Sequence, residues 1–335
     1  MNPRRILIPF ALALPIALSG CAASAAGTAS LATPGASAPT QVTTDPSCPG
    51  AAELKDAPKR VVTMDAGAAA FIVELGFGDT IVGTAAPDFA EDFDGDLRAK
   101  LDAIPVLDSA RGSAEAVVAA EPDLVVGISP YEFGKFDGTP SVQQLHDAGS
   151  AALSACGAMQ DGPMDNIDER YRYIAALADV FDVPERGEKL ISQLRTEVDA
   201  SASNAASDEV PVLALSRVPD AGTGIATNGG SSFANAIITL AGGTNIARDQ
   251  LQDFATLSAE TVAAADPKVI VAISGFSADS DAELKAQIAA TPLLAGTTAA
   301  RSGNIVVIPQ RTLMSPSMLN AEAVRMIADA VAKAS

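Results

Sequence analysis

One helix–strand phrase is written twice in this chain. SAEAVVAAEPDLVVGIS runs from Ser113 to Ser129, and SAETVAAADPKVIVAIS from Ser258 to Ser274. Laid over each other without a gap, they share the Ser-Ala-Glu start, an Ala-Ala pair, the proline and the final Ile-Ser. In each, the first serine can cap a helix, and the glutamate stands in the first turn, where the macrodipole favours an anion. The proline ends the helix, and an unbroken apolar run follows. Such runs are strands covered on both faces, as in parallel sheets. Parallel neighbours need a crossover, so the chain must alternate strand and helix. A unit repeated in each half predicts two such α/β lobes.

The rest of the chain keeps that rhythm. RVVTM, TIVGTA, IPVLD, DLVVGIS and AALSAC read as strands of the first half, with helices between them. Two helical stretches without a strand signal follow, DNIDERYRYIAALADVFDV and PERGEKLISQLRTEVDASASNAA. In the second, Leu190, Ile191, Leu194 and Val198 recur at helical spacing behind Pro184. Alternation then restarts with VPVLALS, SSFANAIITLAGG, TNIA, the second repeat, DAELKAQIAATP and NIVVIPQ, and closes on the helix NAEAVRMIADAVAKA. The predicted class is α/β: two lobes with mostly parallel sheets flanked by helices, joined by one long helix, with a ligand cleft between them. The division is 51–164 for the first lobe, 165–209 for a helical connector and 210–335 for the second lobe.

A formal charge of −19 over 335 residues repels nucleic acid and anionic lipid, which excludes a nucleic-acid partner. The N-terminus predicts export. MNPRR is basic, ILIPFALALPIAL is apolar but short for a membrane span, and LSGC ends at Cys21. Residues 1–20 read as a signal peptide and 21–50, rich in Ala, Ser, Thr, Gly and Pro, as a flexible tether. Cys48 and Cys156 either pair as a disulfide that staples the N-terminus to the first lobe or remain two buried thiols. No GxSxG elbow, placeable Ser-His-Asp set or P-loop is present, so nothing points to an enzyme.

Small residues before Cys21 resemble the lipobox of bacterial lipoproteins, which implies cleavage before Cys21 and lipid on its sulfur. The alternative is an ordinary secretory signal. With RVVTMDAGAAAFIVELGFGDTIVGTA, SAEAVVAAEPDLVVG, FANAIITLAGGTNIA, the second Ser-Ala-Glu unit and RSGNIVVIPQ, the chain from Lys59 to Ser335 resembles the substrate-binding lipoproteins of ABC importers, in the class that handles ferric siderophores, haem and cobalamin. The resemblance implies a monomer on the outer face of the cell membrane, held only by its lipid. It carries no cofactor of its own, binds an iron chelate and docks on a membrane permease. Glu115 and Glu260 stand where that family presents a carboxylate from each lobe to arginines of the permease. The other reading of each is simply a good first-turn residue.

Ligand contacts are expected in the loops after the strands. Tyr131 offers a ring and a hydroxyl. Arg217 and Arg311 could pair with a ligand carboxylate or hydroxamate oxygen. Asn228 and Ser231, in TNGGS, could donate at a helix start, and Phe276 and Met314 could supply apolar wall. The only histidine, His146, reads as a surface residue, with axial haem ligation as the alternative. A single histidine argues against a bare metal site. A ferric siderophore leads; cobalamin, haem or a deazaflavin coenzyme precursor are alternatives, and a surface sensor without transport is more remote. The absence of Trp weakens any ligand that needs stacking.

Overall fold

The computed structural model describes residue 54 and residues 56–86, 90–107, 112–156, 162–202, 210–220, 222–277 and 279–335. The expected leader and tether, with Cys21 and Cys48, lie outside the described residues.

The first lobe runs β1 (Val61–Thr63), α1 (Ala66–Glu74), β2 (Ile81–Thr84), α2 (Gly95–Asp102), α3 (Ala114–Ala119), β3 (Leu124–Val126), α4 (Val142–Asp147) and β4 (Ala151–Leu153). Its sheet has the order β2-β1-β3-β4, and every pair is parallel. All three residues of β1 and of β3 are buried, which is why these strands read as unbroken apolar runs. The expected strand IPVLD is reduced to one bridge between Thr84 and Val106. Pro105 has no N–H for a ladder, so the segment stays an edge.

The second lobe runs β5 (Val210–Leu215), β6 (Ile225–Asn228), α7 (Phe233–Leu240), β7 (Gly243–Asn245), β8 (Phe254–Leu257), α8 (Ala259–Ala265), β9 (Val269–Ser274), α9 (Asp281–Ala290), α10 (Thr298–Ser302), β10 (Ile305–Pro309), α11 (Gln310–Leu313) and α12 (Asn320–Ala334) once the connector helices are numbered α5 and α6. Its sheet has the order β10-β9-β5-β6-β8, with β7 beside β5. β6 is antiparallel to both β5 and β8, so this sheet is mixed. The sequence pattern predicts only a loop where β6 lies. Four residues between turn-forming glycines carry too little periodicity to declare a strand.

The connector is α5 (Asp168–Val180) and α6 (Pro184–Ala202), which pack on each other. Gly187 makes this close: a Cβ there would meet the Ala178 methyl at 2.5 Å. α6 also packs on α12 of the second lobe. Ile174, Leu177 and Leu194 are buried in one apolar cluster that reaches Phe71 and Leu75 in the first lobe and Ile237, Val324 and Ile327 in the second. Each such side chain contributes about 1.5–3 kcal/mol by leaving water. Arg170 is fully buried among them, donating to the carbonyls of Ser317 and Leu194 and to Asn320 Oδ1. A core shared by both lobes through two packed helices limits their relative movement.

Candidate functional site

Between the two sheets lies a cavity of about 530 Å³. Its walls come from residues just beyond the ends of β1, β3, β4 and β10 and at the ends of β6 and β8, which is where open α/β sheets bind ligands. Six of the seven residues expected from the sequence line it: Tyr131, Asn228, Ser231, Phe276, Arg311 and Met314. Arg217 is exposed and stands outside the lining. His146 is exposed in the last turn of α4, its Nδ1 3.7 Å from Asp147, and is not part of the cleft.

The floor is acidic, which the sequence reading missed. Ser129 caps a short 3₁₀ turn, and Glu132 folds back so that its Oε2 accepts from the amides of Ile128 (2.8 Å) and Ser129 (3.3 Å). Gly127 permits this, since a Cβ there would collide with Glu132 Oε2 and the Phe133 ring. The signal was legible as a capping box, Ser129-x-x-Glu132. Asp65 caps α1, its Oδ1 accepting from Gly67 N at 2.6 Å. Burial, relieved in part by that amide and by Arg311 and reinforced by Asp92, pushes the Asp65 carboxyl up to about 6. Burial and the charge of Asp65 push Glu132 well above the ordinary carboxylate range, against the pull of its two amides.

The walls cross from lobe to lobe. Arg311 Nε donates to Asp92 Oδ2 at 2.8 Å, joining second lobe to first. The arginine expected to meet a ligand anion is thus already held by a carboxylate. The Tyr131 hydroxyl faces Asp253; burial and that charge raise its pKa. Burial also raises Asp253, while Tyr131 and Lys135 act to lower it. Asn228 and Ser231 line the cleft, but their polar atoms serve the scaffold. Asn228 accepts from Ser216 Oγ and donates to the carbonyl of Asp253, and Ser231 donates to the carbonyl of Gly162. The helix that follows is capped by Ser232, whose side chain accepts from Asn235 N.

Three phenylalanines rim the opening and remain solvent-accessible: Phe136 at 37 %, Phe254 at 51 % and Phe276 at 46 %. They are three of the five large apolar side chains most exposed among the described residues. Apolar surface gathered around a concavity marks a binding site. Phe136 stacks with Tyr131, ring centroids 6.2 Å apart. Few as the aromatics of this chain are, Tyr131, Phe136, Phe233, Phe254 and Phe276 line this one cavity.

The repeated units occupy equivalent places. Ser113 and Ser258 cap α3 and α8, accepting from Ala116 N and Thr261 N. Glu115 and Glu260 stand exposed in the first turns. The start of α3 is tied to the cleft loop through Ala114 N, which donates to the carbonyl of Gly138.

A family model described as periplasmic binding protein matches residues 61–312, spanning both lobes and the connector. This chain belongs to the periplasmic binding protein family. It is 28 % identical over 283 residues to a cobalamin-binding protein of Halobacterium salinarum, covering 83 % of this chain and 70 % of that protein. It is 22 % identical over 228 residues to the ABC transporter substrate-binding lipoprotein YvrC of Bacillus subtilis, an uncharacterized protein, covering 67 % of each. Among solved structures, it superposes with a TM-score of 0.66 and 26 % identity on an ABC-type Fe3+-hydroxamate transport system protein from Saccharomonospora viridis, covering 83 % of this chain and 94 % of that one.

Proposed function

We propose that this binding protein is the solute-binding subunit of an ABC importer, capturing a ferric siderophore in the cleft and delivering it to a membrane permease. The observation that carries this reading is the interlobe cavity with its rim of exposed phenylalanines over a polar floor. Rings at the mouth suit the apolar envelope of a chelate, and the floor supplies oriented acceptors. The hydroxamate-transport protein supports the choice of ligand by likeness. Binding is non-covalent, and the role is carriage rather than catalysis.

In this reading residues 1–20 are the leader, lipid on Cys21 holds the protein at the outer face of the cell membrane, and residues 21–50 give it reach. Cys48 and Cys156 form a disulfide at the start of the folded body. Glu115 and Glu260 each meet an arginine of the permease. The bond from Ala114 to Gly138 gives one of these docking turns a physical link to the loop that carries Tyr131 and Phe136.

A corrinoid is the second reading, favoured by the Halobacterium salinarum relative and by floor acceptors that suit amide N–H donors. Haem through Tyr131 is disfavoured: an axial phenolate must lose its proton, and burial and Asp253 both oppose that. The purified protein incubated with a ferric trihydroxamate, cyanocobalamin or haemin, then passed through gel filtration, should carry the ferric chelate's visible absorption with it. Co-elution of cyanocobalamin alone, of haemin alone, or of none of the three overturns the siderophore reading.

A further inference from the structure

The charge of the cleft deepens the reading just given, and the inference rests on that cleft being the ligand site. Among the described residues, five ionisable side chains other than Tyr131 line it: Asp65, Glu132, Glu169, Asp253 and Arg311. Most already have a protein counterpart. Arg311 is held by Asp92. Glu169 is held by Arg172 at 2.7 Å and by the amide of Cys156 at 2.6 Å. Asp253 faces Tyr131 and Lys135. Asp65 and Glu132 remain at the floor. Their protein donors are backbone amides on Oδ1 and Oε2, and no donor to Asp65 Oδ2 or Glu132 Oε1 is found among the described residues.

A third group marks the same place as incomplete. Tyr173, on α5, is 2 % exposed, and its hydroxyl has no hydrogen-bond partner among the described residues. It lies close enough to Glu132 and Asp65 for both charges to act on it. A buried unpaired hydroxyl is costly, so a native site that keeps one beside two under-used carboxyls is built for a further polar group.

We propose that the cleft selects ligands presenting a cationic or N–H-donating group to Asp65 and Glu132, and rejects chelates that carry several negative charges. An ammonium or a carboxamide supplies donors for Asp65 Oδ2 and Glu132 Oε1. A carboxylate or catecholate oxygen brought to the same floor meets the negative charge of Asp65, and the nearby arginine is already paired to Asp92. The rim phenylalanines bind the apolar body, and the floor reads the charge.

The test uses matched ligands. The first set is one linear ferric trihydroxamate in three forms: with a free terminal ammonium, acetylated to a neutral amide, and succinylated to a carboxylate. The second is cyanocobalamin and its corrinoid analogue with side-chain amides hydrolysed to carboxylates. Affinities are measured by calorimetry on the wild-type protein at pH 7.5. On whichever scaffold binds, the ammonium or amide form should bind at least tenfold tighter than the carboxylate form. D65N and E132Q should shrink that ratio towards one, with thermal melts recorded to show that each variant is folded. Equal or tighter binding of the carboxylate form overturns the charge selectivity and leaves the importer reading standing. An unchanged ratio in both folded variants overturns the assignment to Asp65 and Glu132. Failure of both scaffolds in every form removes the ligand reading itself and the selectivity with it.

Discussion

Replacing Asp65 with asparagine should stabilise the protein, and only above a defined pH. Asp65 is ionised at about 3.8 in an unfolded chain and at about 6 in the cleft floor. Between those values the native state holds a proton that the unfolded state has released. Stability therefore falls as pH rises through that window, and the full penalty is present above pH 6. The difference corresponds to about 3 kcal/mol at 1.36 kcal/mol per tenfold change. Asparagine removes the penalty and keeps the cap, because its carbonyl still accepts from Gly67 N. Of the groups facing Asp65, Arg311 keeps Asp92, Tyr173 is unaffected in charge, and Glu132 loses the negative neighbour that raises it. D65N should thus gain about 2–3 kcal/mol at pH 7.5 and nearly nothing at pH 4. Urea unfolding at both pH values measures this. With m near 3 kcal/mol/M, the midpoint should move by roughly 1 M at pH 7.5 with m unchanged. A variant no more stable at pH 7.5, or a gain of equal size at pH 4, would refute burial of a charged Asp65 as the cause. A stability gain at a binding site is the usual sign that function is held at a thermodynamic cost.

Charge reversal of both Glu115 and Glu260 to arginine should abolish uptake in cells while ligand affinity of the purified protein stays within about twofold; retained uptake would refute docking through these two glutamates. Truncating Phe136, Phe254 and Phe276 to alanine one at a time should each cost about 1–2 kcal/mol of affinity by calorimetry, and melting temperature should barely move, because all three are exposed. Arg170→Ala should destabilise by about 3–5 kcal/mol in denaturant unfolding, since it empties a buried site and strands the carbonyls of Ser317 and Leu194. Arg170→Met should lose less, because the methionine fills most of the buried volume that alanine leaves empty.

Elements that announce themselves over many residues were legible in the chain. The repeated phrase predicted α3 with β3 and α8 with β9, and the stretch without strands predicted the connector. β6 escaped because it is four residues long and pairs antiparallel, so neither length nor period marked it. Loop position sufficed to place Tyr131, Phe276, Arg311 and Met314 on the cleft, since strand ends converge there in any such fold. It failed for Arg217, because a side chain's direction within a loop depends on backbone turns that local pattern does not encode. Asn228 and Ser231 line the cleft too, while their side chains also bond within the scaffold to the carbonyls of Asp253 and Gly162.

By itself, the sequence determined the alternation of strand and helix, the two-lobe plan and the capped glutamates, because each depends on neighbours within a few residues. Only the tertiary structure decided the character of the site. Asp65 and Glu132, which follow different strands and have α1, β2, α2 and α3 between them along the chain, share one floor because β1 and β3 are adjacent strands. Arg311 is neutralised by Asp92 from the other lobe, 219 positions away along the chain. Three phenylalanines scattered through the sequence become one rim. Local chemistry sets the scaffold; what the cleft accepts follows from charges and rings that meet only after the chain has folded.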